Sequence, residues 1–141
     1  MIKRISSDEA RALLNESRIG RLGCVVDDGP YIVPVSYIFH DDSIYIHSLA
    51  GRKTRALAAN PRACLQVDDI KDEFHWRSVI AFGRYEEITD AQERNWALRR
   101  LLSRFPQLTP VESVPVHDGQ SSVIVFRIRV EEITGVGEAP L

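Results

Sequence analysis

Residues 19–49 read IGRLGCVVDDGPYIVPVSYIFHDDSIYIHSL, and their rhythm decides the fold class. Ile19 to Val26 is mostly apolar, Asp27-Asp28-Gly29 is turn chemistry, and Tyr31 to Phe39 is rich in β-branched and aromatic residues. His40-Asp41-Asp42-Ser43 reads as a hairpin turn into a further strand, Ile44 to His47. Strands joined by such short turns meander. Parallel strands would need long crossovers instead.

Outward from this stretch the pattern stays compact, with no internal repeat. Ser6 opens a short helix, with Glu9 at the capping-box distance and Ala10, Leu13 and Leu14 as its apolar stripe. A helix from Gly51 to Asn60 is stopped by Pro61. Ala63 to Val67 and Val79 to Ile88 are two more strands, joined by a charged loop from Asp68 to Glu73. Asp90 opens the longest helix, with Glu93 in the box position and Arg99, Arg100 and Arg104 near the negative end of its dipole. A loop with Pro106, Pro110, Pro115 and Gly119 leads into a last strand, Ser122 to Ile133. About six strands and three helices result. The expected fold is mainly β with helices (α+β): a β-barrel with helices outside it, not a parallel βαβ sheet.

The chain has 141 residues and is expected to form one domain over 1–141. At that length about two-thirds of the unfolded surface is buried, so no disulfide or metal staple is needed. Apolar residues are 44% and charged residues 27%, which excludes disordered and collagen-like classes. Eighteen Lys and Arg against twenty Asp and Glu leave −2, no general footprint for nucleic acid or an acidic membrane. MIKRISSDEA has no apolar signal core, and no apolar run approaches the roughly 18 residues of a spanning helix. Cys24 and Cys64 fit neither a CxxC pair nor a disulfide framework and read as buried inert thiols. A soluble cytoplasmic protein is expected.

Several chemistries are missing. There is no GxSxG, no HExxH and no GxGxxG after a strand, and Gly51-Arg52-Lys53-Thr54 lacks the upstream glycine of a P-loop. His40, His47, His75 and His117 have no helical i, i+4 spacing and no cysteine nearby, so no metal site is expected. Asp27-Asp28, Asp41-Asp42 and Asp68-Asp69 are adjacent pairs in expected turns, the ordinary place for solvated carboxylates. No catalytic acid or base is assigned.

One local feature breaks the rules. Residues 43–67 hold no acid yet carry Arg52, Lys53, Arg55 and Arg62, so +4 sits in a chain whose remainder totals −6. Three of these cations crowd the first turn of the expected helix, the positive end of its dipole, where acids are normally favoured. An anion docked there would make the arrangement favourable. Free backbone N–H groups, the Ser48 hydroxyl and the Arg and Lys side chains then read as a phosphate cradle. The other reading is a solvated basic helix end carrying a few tenths of a kcal/mol of strain.

These residues also carry a family resemblance. IGRLGCVVDDGPYIVPVSYIFHDDSIYIHSLAGRKTRAL, then NPRACLQVDD, then WRSVIAFGRYEEI, resembles the FMN-binding split β-barrel superfamily, in its pyridoxamine 5′-phosphate oxidase-like branch with nitroimidazole-reductase-type flavoproteins. The likeness runs from about Glu9 to Glu87 and rests on a GRL strand, a Pro-Val-Ser-Tyr strand, an IHS-x-x-GRK segment and a Trp-x-Ser-Val strand, in order. It implies a six-stranded Greek-key-like split barrel and a homodimer with FMN in each of two intersubunit grooves.

Carried over by position, the resemblance lays Pro34, Val35, Ser36 and Tyr37 along the isoalloxazine ring, where a strand proline suits an edge at which a ligand replaces pairing. It gives the ribityl phosphate to His47, Ser48, Arg52 and Lys53, and closes the groove with Trp76 and Ser78. Read without it, Pro34 to Tyr37 is an ordinary barrel strand, His47 a satisfied core histidine and Trp76 a core filler. The implied activity is an FMN-dependent oxidoreductase passing electrons from a reduced nicotinamide or other donor to a small acceptor, with Ser36 and Ser78 as donors to the ring edge. Vitamin B6 oxidation is not expected, because ITGVGEAPL has none of the Arg-rich substrate contacts of a true pyridoxamine phosphate oxidase. The alternatives are a deazaflavin-binding relative, a haem-binding split barrel using His47 or His75, and a non-catalytic flavin-binding or structural dimer.

Overall fold

The computed structural model describes residues 1–105 and 123–139. Its elements are β1 (Ile2–Arg4), α1 (Ser7–Glu16), β2 (Ile19–Val26), β3 (Gly29–Ser36), β4 (Ile38–His40), β5 (Ser43–Leu49), α2 (Arg52–Ala59), β6 (Arg62–Asp72), β7 (His75–Glu87), α3 (Ala91–Arg104) and β8 (Val123–Glu138). The expected loop through Pro106, Pro110, Pro115 and Gly119, together with His117 and Ser122, lies outside the described residues.

Both acidic turns are tight hairpins. Asp27 and Asp28 have φ of 52° and 61°, and Asp41 and Asp42 have 51° and 56°. Two left-handed residues in succession match the twist of the flanking strands, and Asp tolerates that region better than most residues. Arg52 pairs with Asp27 and Arg11 with Asp42, at 2.6 Å in the second case, which ties each turn to a helix.

All pairings are antiparallel, in the order β3-β2-β6-β7-β8-β5-β4 with β1 added on β8. The two ends of that order, β3 and β4, are consecutive in the chain with only Tyr37 between them. The sheet therefore curls until its edges adjoin, which makes a split barrel. Its interior is filled by Leu22, Val35, Tyr37, Ile44, Ile46, Leu65, Val79, Phe126 and others, with Leu13 and Leu14 of α1 and Leu57 of α2. A second cluster packs Ala97 and Leu101 of α3 against Ile38, Tyr45 and Val125 on the outer side.

Six strands are long, as the sequence leads one to expect, and two of three residues are added. The continuous strand expected over Tyr31 to Phe39 breaks at Tyr37. That side chain is fully buried and its hydroxyl donates to the Leu14 carbonyl, which pins the bend to α1. The charged segment Asp68 to Glu73 is mostly strand, because β6 and β7 continue as a hairpin. Asp68 and Asp69 pair with cross-strand arginines, Arg21 to Asp68 at 2.9 Å and Arg77 to Asp69 at 2.9 Å, and Asp72 pairs with His75 at 2.7 Å. The last strand runs on past Ile133 to Glu138. Gly135 and Gly137 there look like loop residues but are packing positions: a Cβ on Gly135 would lie 2.6 Å from Ile5 Cγ1.

Candidate functional site

β5 carries the first residues of the expected cradle, and it is buried on both faces from Ser43 to Ser48. Ile44 and Ile46 point into the barrel, whereas Tyr45 belongs to the cluster under α3. By alternation His47 follows Tyr45 to that outer side, opposite Val125 in β8. His47 is 7% exposed, and neither of its ring nitrogens has a hydrogen-bond partner among the described residues. Burial pushes its pKa below the usual histidine value, which keeps the ring neutral at pH 7. A buried imidazole with both nitrogens idle costs free energy, about 1–3 kcal/mol for each unsatisfied group. It is the kind of atom pair that a ligand satisfies.

Ser48 is fully buried, and its hydroxyl donates to the Leu49 carbonyl at 3.1 Å. α2 then starts at Gly51, which has no side chain to cap the helix. Instead the Gly51 N–H donates to Thr54 Oγ1 at 2.9 Å, and that hydroxyl donates back to the Gly51 carbonyl. No acid occupies the first turn, and Lys53 within it is 1% exposed. Arg52 stands apart from this group. It is exposed and reaches back to Asp27.

The expected ring strand divides by face. Val35 and Tyr37 have their side chains in the barrel core, so only their backbone can meet a ligand. Pro34 is exposed and Ser36 half-buried, both on the outer face. The β4–β5 pairing ends at Ile38 and Tyr45, and Ser36, beyond the break at Tyr37, pairs with Ile19 of β2. His47 and Ser48 are consecutive on β5 just before α2, on its outer and core sides respectively, and Pro34 and Ser36 lie on the outer face of β3 just before the break at Tyr37.

Trp76 and Ser78 are elsewhere. They lie on the outer face of β7, which β2 and β6 separate from β3, three strand spacings or roughly 14 Å away. Trp76 Nε1 donates to Glu138 at 3.1 Å. Ser78 accepts from Gln66 Nε2 at 3.1 Å, and the same amide donates to Asp68, which also pairs with Arg21. Arg21, Gln66 and Asp68 form a polar chain across the outer face that the sequence analysis does not single out. Their alternation with Leu22, Leu65 and Val67 is the signal that places them on one face.

Comparison with known proteins gives a consistent picture. The family model described as pyridoxamine 5′-phosphate oxidase matches residues 6–136. An uncharacterised protein of Rhizobium meliloti is 30% identical over 141 residues, 95% of this chain and 93% of its own. The crystal structure of an FAD-binding protein from Mesorhizobium loti has a TM-score of 0.81 at 31% identity and covers 99% of both chains. A protein assigned to 5-nitroimidazole antibiotic resistance in Bacteroides thetaiotaomicron has a TM-score of 0.74 at 21% identity, over 97% of this chain and 89% of its own. At that identity the likeness is one of fold.

Proposed function

The chain belongs to the pyridoxamine 5′-phosphate oxidase family, and from that membership we propose that it is a homodimeric flavoprotein, an oxidoreductase that binds a flavin through its 5′-phosphate. The flavin is FMN, whole or as the FMN half of FAD. Electrons pass from a reduced nicotinamide or another donor to a small-molecule acceptor of the nitroimidazole type. The observation that carries the reading is His47, buried with two nitrogens that have no partner among the described residues, beside the buried Ser48 and the acid-free start of α2.

The residues present fit such a group. The Lys53 ammonium, in surroundings of low dielectric, attracts a phosphate far more strongly than it would in water. The first N–H groups of α2 and the Ser48 hydroxyl add donors. Arg52 joins them by leaving Asp27, an exposed pair worth little on its own. Pro34 and Ser36, with the backbone of Val35 and Tyr37, form the wall along which the ring lies. His47 supplies a neutral hydrogen-bonding edge and excludes water. When bound, the flavin would supply the hydride and electron chemistry. Ser36 orients it by a hydrogen bond to the ring edge. We assign no acid or base to the protein.

One chain holds Pro34 and Ser36 on β3 and Trp76 and Ser78 on β7, three strand positions apart in the sheet. A second copy resolves this, with Trp76 of the partner subunit and Ser78 of the partner subunit closing the groove. The surface offers the contact: Ile19, Ile70 and Val136 are 58%, 64% and 37% exposed on the outer face.

The visible spectrum of the purified protein, with added FMN or FAD and then anaerobic NADH or NADPH, tests the reading. Flavin bands that bleach on reduction support it. A deazaflavin band, a haem Soret peak or no uptake of either flavin would overturn it. A flavin that binds but is reduced only by light would make the protein a binding module.

A further inference from the structure

Four polar side chains meet on the outer face of β2, β6 and β7. The register sets Arg21 opposite Gln66 and Asp68 opposite Ser78, so the diagonal neighbours also come within reach of one another. Arg21 donates to Asp68 Oδ2 at 2.9 Å and to Gln66 Oε1 at 3.4 Å. Gln66 Nε2 donates to the same Asp68 oxygen at 3.0 Å and to Ser78 Oγ at 3.1 Å. The Asp68 side chain is 20% exposed, and Gln66 and Ser78 are half-buried.

This chain of donors has one direction. A glutamine amide has one acceptor oxygen and two N–H hydrogens. Here the oxygen faces the Arg21 guanidinium, and the hydrogens are engaged by the Asp68 carboxylate and by Ser78. Turning the amide over would set its oxygen against the carboxylate and its NH2 group against the guanidinium. The two charges therefore fix its orientation. Ser78 Oγ is an acceptor toward Gln66, and its single hydrogen has no acceptor among the described residues. That hydrogen is left for a group outside the chain's own contacts. Trp76, two residues away on the same face, does not compete, because its Nε1 already donates to Glu138 at 3.1 Å.

We propose that Arg21, Asp68 and Gln66 are positioning residues that set the Ser78 hydroxyl as a hydrogen-bond donor to an acceptor atom of the flavin ring, a carbonyl oxygen or an unprotonated ring nitrogen. The proposal rests on the flavin reading, in which Ser78 closes the groove of the neighbouring copy. It excludes the ring's own N–H as the partner, since that group needs an acceptor. A fixed donor at this edge favours the reduced ring, which carries more electron density than the oxidised one. Without the Gln66 amide, the Ser78 hydrogen turns to the Asp68 carboxylate directly opposite, and the ring loses its donor.

The test is the midpoint potential of FMN bound to the wild-type protein, to Gln66→Met, to Ser78→Ala and to the double variant. Each single variant is expected to lose about tenfold in preference for the reduced ring, the worth of one hydrogen bond. For a two-electron couple that lowers the potential by about 30 mV. The double variant should lose no more than either single one, because both residues act on one bond. A merely structural role would lower the urea midpoint and leave the potential where it is. Gln66→Leu, which also lacks the amide, replaces Gln66→Met if the latter does not fold. A wild-type potential in either Gln66 variant or in Ser78→Ala, or losses that add in the double variant, overturns the proposal and leaves the flavin reading standing. So does a Gln66 variant that differs only in oligomeric mass, which would make the four residues an interface contact. A wild-type protein that takes up no FMN overturns both.

Discussion

At the scale of single residues, His47 ties the site to stability. Burial lowers its pKa, so the folded protein resists protonating a ring that the unfolded chain protonates readily. The folded state binds fewer protons than the unfolded one below the ordinary histidine pKa. Stability is therefore fully present above about pH 6.5 and falls as the pH drops toward the lower folded value. Urea denaturation should show this acid-side loss in the wild type and a smaller one in His47→Gln. Equal losses would mean that His47 does not titrate with folding. Tyr37 shows the opposite lesson. The sequence analysis lays it along a ligand, but its ring fills the barrel and its hydroxyl holds α1. Nothing in the local pattern distinguishes these uses, because this stretch is apolar on its exposed outer face as well as on its core face.

At the scale of elements, α3 is held on the barrel by more than its apolar stripe. Arg127 of β8 bonds both Glu86 of β7 and Glu93 in the first turn of α3, and its side chain is only 15% exposed. Replacing it with Met would leave the half-buried Glu93 without its ion-pair partner, while the exposed Glu86 keeps Arg129. The expected cost is about 2 kcal/mol, between that of an exposed pair and a fully buried one. It would be read as a lower urea midpoint with the slope unchanged, and a midpoint equal to wild type would remove the staple from this account. Elements with strong local signals were legible in the sequence. Ser6 and Asp90 cap their helices through Glu9 and Glu93 as their spacing implies, and the acidic pairs make both hairpins. The hidden elements lack local signals. β1 is three residues long and exists because β8 lies beside it. The outer ends of β6 and β7 carry charges because that face is polar there, and charge was read as loop. The candidate cradle stands out in the sequence because its cations contradict the helix dipole.

At the scale of the molecule, the proposed dimer rests on the exposed apolar residues Ile19, Ile70 and Val136 of the outer face. Light scattering at micromolar concentration should give about 32 kDa, twice the 16.0 kDa of one chain. Ser36→Arg, which places a charge in the shared groove, should lower that mass and lose flavin together. A 16.0 kDa particle with flavin fully bound would contradict the two-chain site. The central claim is narrower: a phosphate-bearing flavin is held where β5 meets α2. Titration of the flavin-free protein with FMN and with riboflavin tests it most directly, because the two ligands differ only in the phosphate. FMN should bind at least about a hundredfold more tightly, the equivalent of two charge-assisted hydrogen bonds. Lys53→Met should cost FMN about tenfold or more and leave riboflavin unchanged. Equal affinity for the two flavins in the wild-type protein would contradict the cradle.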